Sequence, residues 1–268
     1  MAGGIVLAVL ALGGCHQAEP RRAPSRATIV SLNPCTDAIL AEVADRDQLL
    51  ALSHYSHDPR ATSMPIRQAR RWPAHGGTAE EVLAFGPDVV VASTFMPPAT
   101  ASAFARLGLR VEAFSAPLTV AESIAQVRRL SRIAGHPERG EALVRRIEVA
   151  LRNARHHDTP IPALLWQEGG IVPGPETLIA ELFRHTGFAS HSAARGLGQG
   201  AYLPLEQVLA DPPQVLLAAG GDRMLVHPAV RALDGVRYAH VEPSLLYCGG
   251  PTIIRAAQHL AQVRRTIG

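Results

Sequence analysis

An α/β fold of two lobes, each with a central, mostly parallel sheet flanked by helices, the two joined by a rigid connector helix, follows from three features of this sequence. Strand-like and helix-like segments alternate through residues 28–134 and again through 159–268, the grammar of sheets built from strand–helix–strand units. Val89-Val-Val-Ala92 is an unbroken apolar run, as expected of a parallel strand covered on both faces. Between the halves, from Val120 to Ala154, the pattern is helical with no strand signal, and a helical passage of this kind reads as a stiff connector over 135–158 rather than a Pro/Gly/Ser linker. A chain of 268 residues with 47% hydrophobic and 18% charged residues has enough apolar surface to build such a core and is not a disordered chain.

The first 14 residues carry an apolar run, Ile5 to Leu12, too short to span a bilayer and placed where a signal peptide has its hydrophobic region. It ends in Leu12-Gly-Gly-Cys15, which resembles a bacterial lipobox, so Cys15 is the expected site of lipidation. No Lys or Arg precedes the run, which departs from the pattern of such signals. Residues 15–27 form the anchor and tether, rich in Pro, Arg and Ala without periodicity.

The first lobe opens with strand Thr28 to Leu32, and Asn33-Pro34 then supplies a helix cap and a proline at the first helical position for a helix through Val43. Leu49 to Leu52 is a second strand. Thr78 and Glu81 form a capping box for a helix that Gly86-Pro87 stops before the strand at Val89. Thr100 to Leu107 is a helix closed by Gly108, and Arg110 to Phe114 is a strand. Helices over Val120 to Ala134 and beyond His136-Pro137 follow, the second with Leu143, Ile147, Leu151 and Ala154 on one face. The second lobe repeats the alternation with strand Ala163 to Trp166, helix Glu176 to His185, helix Leu205 to Ala210, strand Val215 to Ala219 and a final helix Thr252 to Val263.

The net charge of +3 comes from arginines spread along helices, with no block of like charge and no interleaved aromatics, so a nucleic-acid groove is not expected. With Cys15 lipidated, Cys35 and Cys248 remain as an even pair in an oxidising compartment. Three readings of that pair stand open: two buried small hydrophobes, a disulfide tying the lobes, or thiolate ligation of a metal. His54 and His57 offer imidazoles to a metal or are ordinary loop residues, and no HExxH, CxxC or histidine-rich loop accompanies them.

Three segments carry a more specific resemblance: Ile29-Val-Ser-Leu-Asn-Pro-Cys-Thr-Asp37, Gly77-Thr-Ala-Glu-Glu-Val-Leu-Ala-Phe-Gly-Pro-Asp-Val-Val-Val91 and Leu203-Pro-Leu-Glu-Gln-Val-Leu-Ala210. In this order, and with the connector between them, the chain resembles the cobalamin and ferric-siderophore substrate-binding proteins of ABC importers, the class III periplasmic binding proteins. The resemblance implies a lipid-anchored monomer on the periplasmic side of the envelope that captures a metal chelate between its lobes and delivers it to permease subunits. It implies no enzyme activity and no cofactor. Loops after parallel strands converge on one sheet edge, so ligand-binding candidates follow from strand ends: Cys35, Tyr55, Thr94, Phe95 and the loop residue Trp72 in the first lobe, Trp166, Gly169, Tyr247 and Cys248 in the second. Tyr55, Trp72, Phe95, Trp166 and Tyr247 are the expected apolar walls for a flat chelate. In cobalamin-binding relatives one surface glutamate per lobe meets permease arginines, and Glu80 and Glu206 match those positions, where each also suits a helix N-terminus.

Whether the chelate is a corrinoid or a siderophore stays open, because Arg70, Arg71 and Arg195 would suit anionic siderophore oxygens while the aromatics suit a corrinoid. A binding protein for bare metal ions or haem is a further alternative. A cysteine–histidine hydrolase built on Cys35 is the enzyme alternative, and the chain has neither a G-x-S-x-G elbow nor a Gly-rich phosphate loop to support one.

Overall fold

The computed structural model describes residues 26–221, 223 and 226–267. The expected signal peptide, Cys15 and all but the last two residues of the expected tether lie outside the described residues. The first lobe contains β1 (Ile29–Ser31), α1 (Pro34–Val43), β2 (Leu49–Ser53), α2 (Ile66–Ala69), β3 (Ala74–His75), α3 (Ala79–Phe85), β4 (Val89–Ser93), α4 (Pro98–Arg106) and β5 (Val111–Phe114). Two long helices follow, α5 (Val120–Ile133) and α6 (Pro137–Ala154). The second lobe contains β6 (Ile161–Gln167), β7 (Ile171–Val172), α7 (Leu178–His185), β8 (Phe188–Ser190), α8 (His191–Ala194), β9 (Ala201–Tyr202), α9 (Leu205–Ala210), β10 (Val215–Ala219), α10 (Pro228–Arg231), β11 (Arg237–His240) and α11 (Pro251–Ile267).

The first five strands form one parallel sheet in the order β3-β2-β1-β4-β5. Four strands of the second lobe form another in the order β11-β10-β6-β8, also parallel throughout. A short antiparallel pair, β7 with β9, stands beyond the carboxyl end of β6 and places Ile171 opposite Tyr202. In each sheet the chain runs outward from its first strand to one side and then returns to the other. The reversal falls beside β1 in the first sheet and beside β6 in the second, and such switch points open a crevice at the carboxyl edge.

Side-chain alternation explains why both sheets are covered twice. Ile29, Val89 and Val91 face a large inner cluster, whereas Val30 and Val90 pack with Val82 and Phe104 on the outer face. The second sheet divides likewise, Ala163, Leu165 and Leu217 inward, Leu164, Trp166 and Leu216 outward with Val208 and Val230. The inner cluster is continuous between lobes. It joins Ile29 and Leu40 through Leu130 and Ile147 of α5 and α6 to Leu165, Ile253 and Leu260. The final helix α11 therefore packs chiefly on α6 and also meets α1 and α7.

Helix boundaries follow local chemistry. Asn33 caps α1 by accepting from Cys35 N–H, with Pro34 at the first helical position. Both arms of the capping box between Thr78 and Glu81 are made, and Gly86 ends α3 at φ 58°, a left-handed conformation that favours glycine. At the α5–α6 crossing, Gly140 lies so close to α5 that a Cβ there would come within 2.6 Å of Ser131 Cβ. That glycine is a packing contact.

Candidate ligand-binding cleft

The carboxyl edges of the two sheets are brought together by a short chain of contacts. Cys35, just past β1, is joined to Cys248 by a disulfide with the Cα atoms 5.0 Å apart. Of the three readings of the cysteine pair, the structure has the covalent one. The neighbouring Tyr247 donates its hydroxyl to Gln167 Oε1 at the end of β6 (3.2 Å). The carboxyl ends of β1 and β6 are thus linked through the disulfide and Tyr247.

On the first-lobe side, a cavity of about 520 Å³ opens at the ends of β1, β2, β3 and β4. Leu32, His54, Tyr55, His75, Phe95 and Met96 are among its walls. Tyr55 and Phe95 are exposed, and the ring of His54 lies against that of Tyr55 with centroids 4.0 Å apart. His75 is buried and its pKa is lowered chiefly by that burial. Its Nε2–H donates to the Ser31 carbonyl (3.0 Å), which leaves Nδ1 without a partner. Sequence reading singles out neither His75 nor Met96. A histidine at the end of a two-residue strand and a methionine in a loop carry no periodic signal.

On the second-lobe side, Tyr247 is exposed, and partial burial, assisted by the Glu168 carboxylate, holds its phenol above the ordinary value. The phenol therefore keeps its proton and its role as donor to Gln167. Glu168 Oε1 accepts from Gly221 N–H (3.0 Å) across the crevice between β6 and β10. Gly169 is exposed in the tight turn at the end of β6 with φ 70°. Tyr202, on the short antiparallel pair, is a further exposed ring that sequence reading does not select.

Two expected wall residues are not in the cleft. Trp166 is fully buried on the outer face of β6 and donates Nε1–H to the Leu203 carbonyl (2.9 Å). The β7–β9 pair and α9 cover that face, so a tryptophan near the strand's carboxyl end still packs inward. Trp72 is buried as well, with Nε1–H on the Arg46 carbonyl (3.0 Å). Arg46 precedes β2, so the indole is anchored at the amino edge of the sheet, opposite the cleft. Thr94 is exposed and lines a separate cavity of about 340 Å³ with Phe114, Ser115 and Arg129.

The other candidates have defined surroundings. His57 faces α2, with Nε2 on the Ala69 carbonyl (3.2 Å). Among the described residues, no three His, Cys, Asp or Glu side chains come together as a metal-ion site. Arg71 lies over the Trp72 ring, 5.4 Å from its centroid, at the amino edge. Arg195 is held by an ion pair with Asp211 and by the carbonyls of Asp211 (2.8 Å) and His191 (3.2 Å). Glu80 and Glu206 are exposed in the first turns of α3 and α9.

Below the cavity lies an unusual carboxyl. Asp37, in the first turn of α1, is fully buried. Ser53 N–H (3.0 Å) and Ser56 Oγ (2.6 Å) both donate to Oδ2, and Oδ1 has no partner. Burial outweighs these donors and raises its pKa to about 8.

Comparison with solved structures gives the same fold. The haem-binding protein RhuT of Roseiflexus sp. RS-1 superposes with a TM-score of 0.75 at 20% identity, covering 91% of this chain and 99% of its own. The vitamin B12-binding protein BtuF of Vibrio cholerae gives 0.69 at 19%, covering 90% and 97%. A periplasmic haem-binding protein of Pseudomonas aeruginosa gives 0.68 at 21%, covering 88% and 92%. Among curated proteins none matches. The model of the periplasmic binding protein family matches residues 29–241, which span both sheets and the helices between them, and the chain belongs to that family.

Proposed function

We propose that this protein is the substrate-binding component of an ABC importer and that its cargo is a planar metal chelate of the corrinoid or haem class. The observation that carries this reading is the cavity at the switch point of the first sheet. It is walled by Tyr55, Phe95 and Met96, and no arginine or lysine is among its lining residues. A hydroxamate or catecholate siderophore presents ionised or strongly polar oxygens and calls for guanidinium partners. Arg71 and Arg195 are engaged elsewhere. A flat macrocycle instead takes aromatic and thioether walls with few polar contacts. Tyr247, beside the disulfide-bonded Cys248, is the exposed ring assigned to the second-lobe wall. Two structures of like fold, named for haem and vitamin B12, support the same class.

Delivery is assigned to Glu80 and Glu206, one exposed carboxylate on each lobe, meeting basic residues of a two-fold permease and fixing the register of docking. The protein works on the periplasmic side of the membrane, tethered through Cys15. Thermal shift with haemin, cobinamide, cobalamin and a ferric hydroxamate tests the cargo. A chelate at 100 times its Kd adds about 2.7 kcal/mol of stability. Haemin or a corrinoid should raise Tm and the hydroxamate should not; a response to the hydroxamate alone would overturn the assignment. For docking, Glu80→Ala/Glu206→Ala should bind chelate normally and fail to support uptake, and normal uptake by the folded double variant would count against it.

A further inference from the structure

The segment Tyr247 to Gly250 belongs to the second lobe by sequence but is seated on the first. Gly250 N–H donates to Ser123 Oγ of α5 (2.7 Å). A side chain at Gly249 would run into Ser123 and Pro117, and one at Gly250 into Ile39 of α1. Cys248 is buried and bonded to Cys35, whose sulfur lies 3.7 Å from the Tyr247 carbonyl. Tyr247 itself reaches back to Gln167. Four consecutive residues therefore touch the ends of both central strands and carry one of the exposed rings of the cleft.

The two sulfurs differ in their surroundings. Cys35 is partly exposed and sits in the first turn of the ten-residue helix α1, whereas Cys248 is buried. Access to an external thiol is through Cys35. Once reduced, a Cys35 thiolate is favoured by the positive end of the helix dipole, which also equips it to re-form the bond. Without the disulfide, the segment's polar ties among the described residues are single hydrogen bonds, from Gly250 to Ser123, from Tyr247 to Gln167, and from Thr252 and Ile253 at the start of α11 to the Gly249 and Gly250 carbonyls.

We propose that the Cys35–Cys248 disulfide is a redox-cleavable clasp that holds Tyr247 in the cleft wall, and that a periplasmic dithiol reductant opens it. A thiolate of the reductant attacks Cys35 Sγ, the protein S–S bond breaks, and Cys248 Sγ leaves with the electron pair and takes a proton. The reductant's second thiolate then attacks its own sulfur in the mixed disulfide and expels Cys35 as a thiolate, which takes the second proton. Two electrons and two protons pass to the protein, and the reductant leaves as a disulfide. Opening frees the 247–250 segment and weakens ligand retention; only this last consequence rests on the function proposed above.

The test uses the full mature chain with dithiothreitol as the dithiol, free thiols being titrated to establish reduction. Reduction without denaturant should raise amide exchange in the 246–250 segment about tenfold while β1, β4 and β6 stay protected. The Kd for haemin or cobinamide should rise about tenfold and return on reoxidation. Cys248→Ser should reproduce the reduced state without any reductant. A disulfide that dithiothreitol reaches only in denaturant, or a fully reduced protein with unchanged exchange, would overturn the clasp. If neither chelate binds the oxidised protein, the cargo assignment fails while the exchange measurement still decides the clasp.

Discussion

A carboxyl group sealed between β1, β2 and α1, with donors on only one of its oxygens, pays a desolvation cost whenever it ionises, and Asp37 therefore holds its proton up to about pH 8. Its folded pKa lies above its unfolded one, so between about pH 4 and 8 the native state binds the extra proton and stability falls as pH rises, by roughly 1.4 kcal/mol per unit at most. Asp37→Asn keeps an acceptor for Ser53 and Ser56 and cannot ionise. Urea unfolding at pH 5 and pH 8 should show the wild type losing stability relative to Asp37→Asn across that window; parallel pH profiles would exclude the assignment. The same contrast between position and surroundings governed what could be read of the site. Tyr55, Phe95 and Tyr247 are exposed rings near strand ends, as expected from sequence. Trp72 and Trp166 looked equivalent, but which face a residue takes is decided by partners distant in sequence, Arg46 for one and Leu203 for the other.

Among the elements, α5 and α6 cross through Gly140 and Ser131. Glycine inside a helix ordinarily costs about 1 kcal/mol against alanine, so Gly140→Ala would stabilise an isolated α6. Here the added methyl meets the Ser131 side chain, and the helices must part. Overpacking of this kind costs about 1–3 kcal/mol, and the expected outcome is a net loss, measured as a lower urea midpoint. Gly140→Ala with Ser131→Gly should recover most of it. Sequence reading does not single out Gly140 as a packing contact, because a close approach between helices leaves no local trace. Caps were legible: Asn33, Thr78 and Gly86 act through neighbours within a few residues. The strands β3, β8 and β11 were not, since all three are short and lie at sheet edges, and β11 reads Arg-Tyr-Ala-His without an apolar run.

At the level of the whole molecule, the inner apolar cluster crosses from one sheet to the other without a break, and polar ties reinforce it, including Val120 N–H on Glu181 Oε2 (2.8 Å). Separating the lobes would expose that cluster to water, at about 25 cal/mol for each Å² uncovered. Ligand should therefore change the radius of gyration very little in small-angle scattering, and a wide closure would contradict a shared core. Two lobes and a helical passage between them could be anticipated from the alternation of segments. The return of α11 to α6 and α1 could not, because nothing in a single amphipathic helix names the surface it will cover. That return has a consequence for how the protein is made. Its first helix awaits its last, since Cys35 finds its bonding partner 213 residues later and Ile39 is overlaid by Gly250. A nascent chain halted before Cys248 leaves Cys35 without its bonding partner and Ile39 without its cover, so arrival of the 248–250 segment is the event that seals the first lobe.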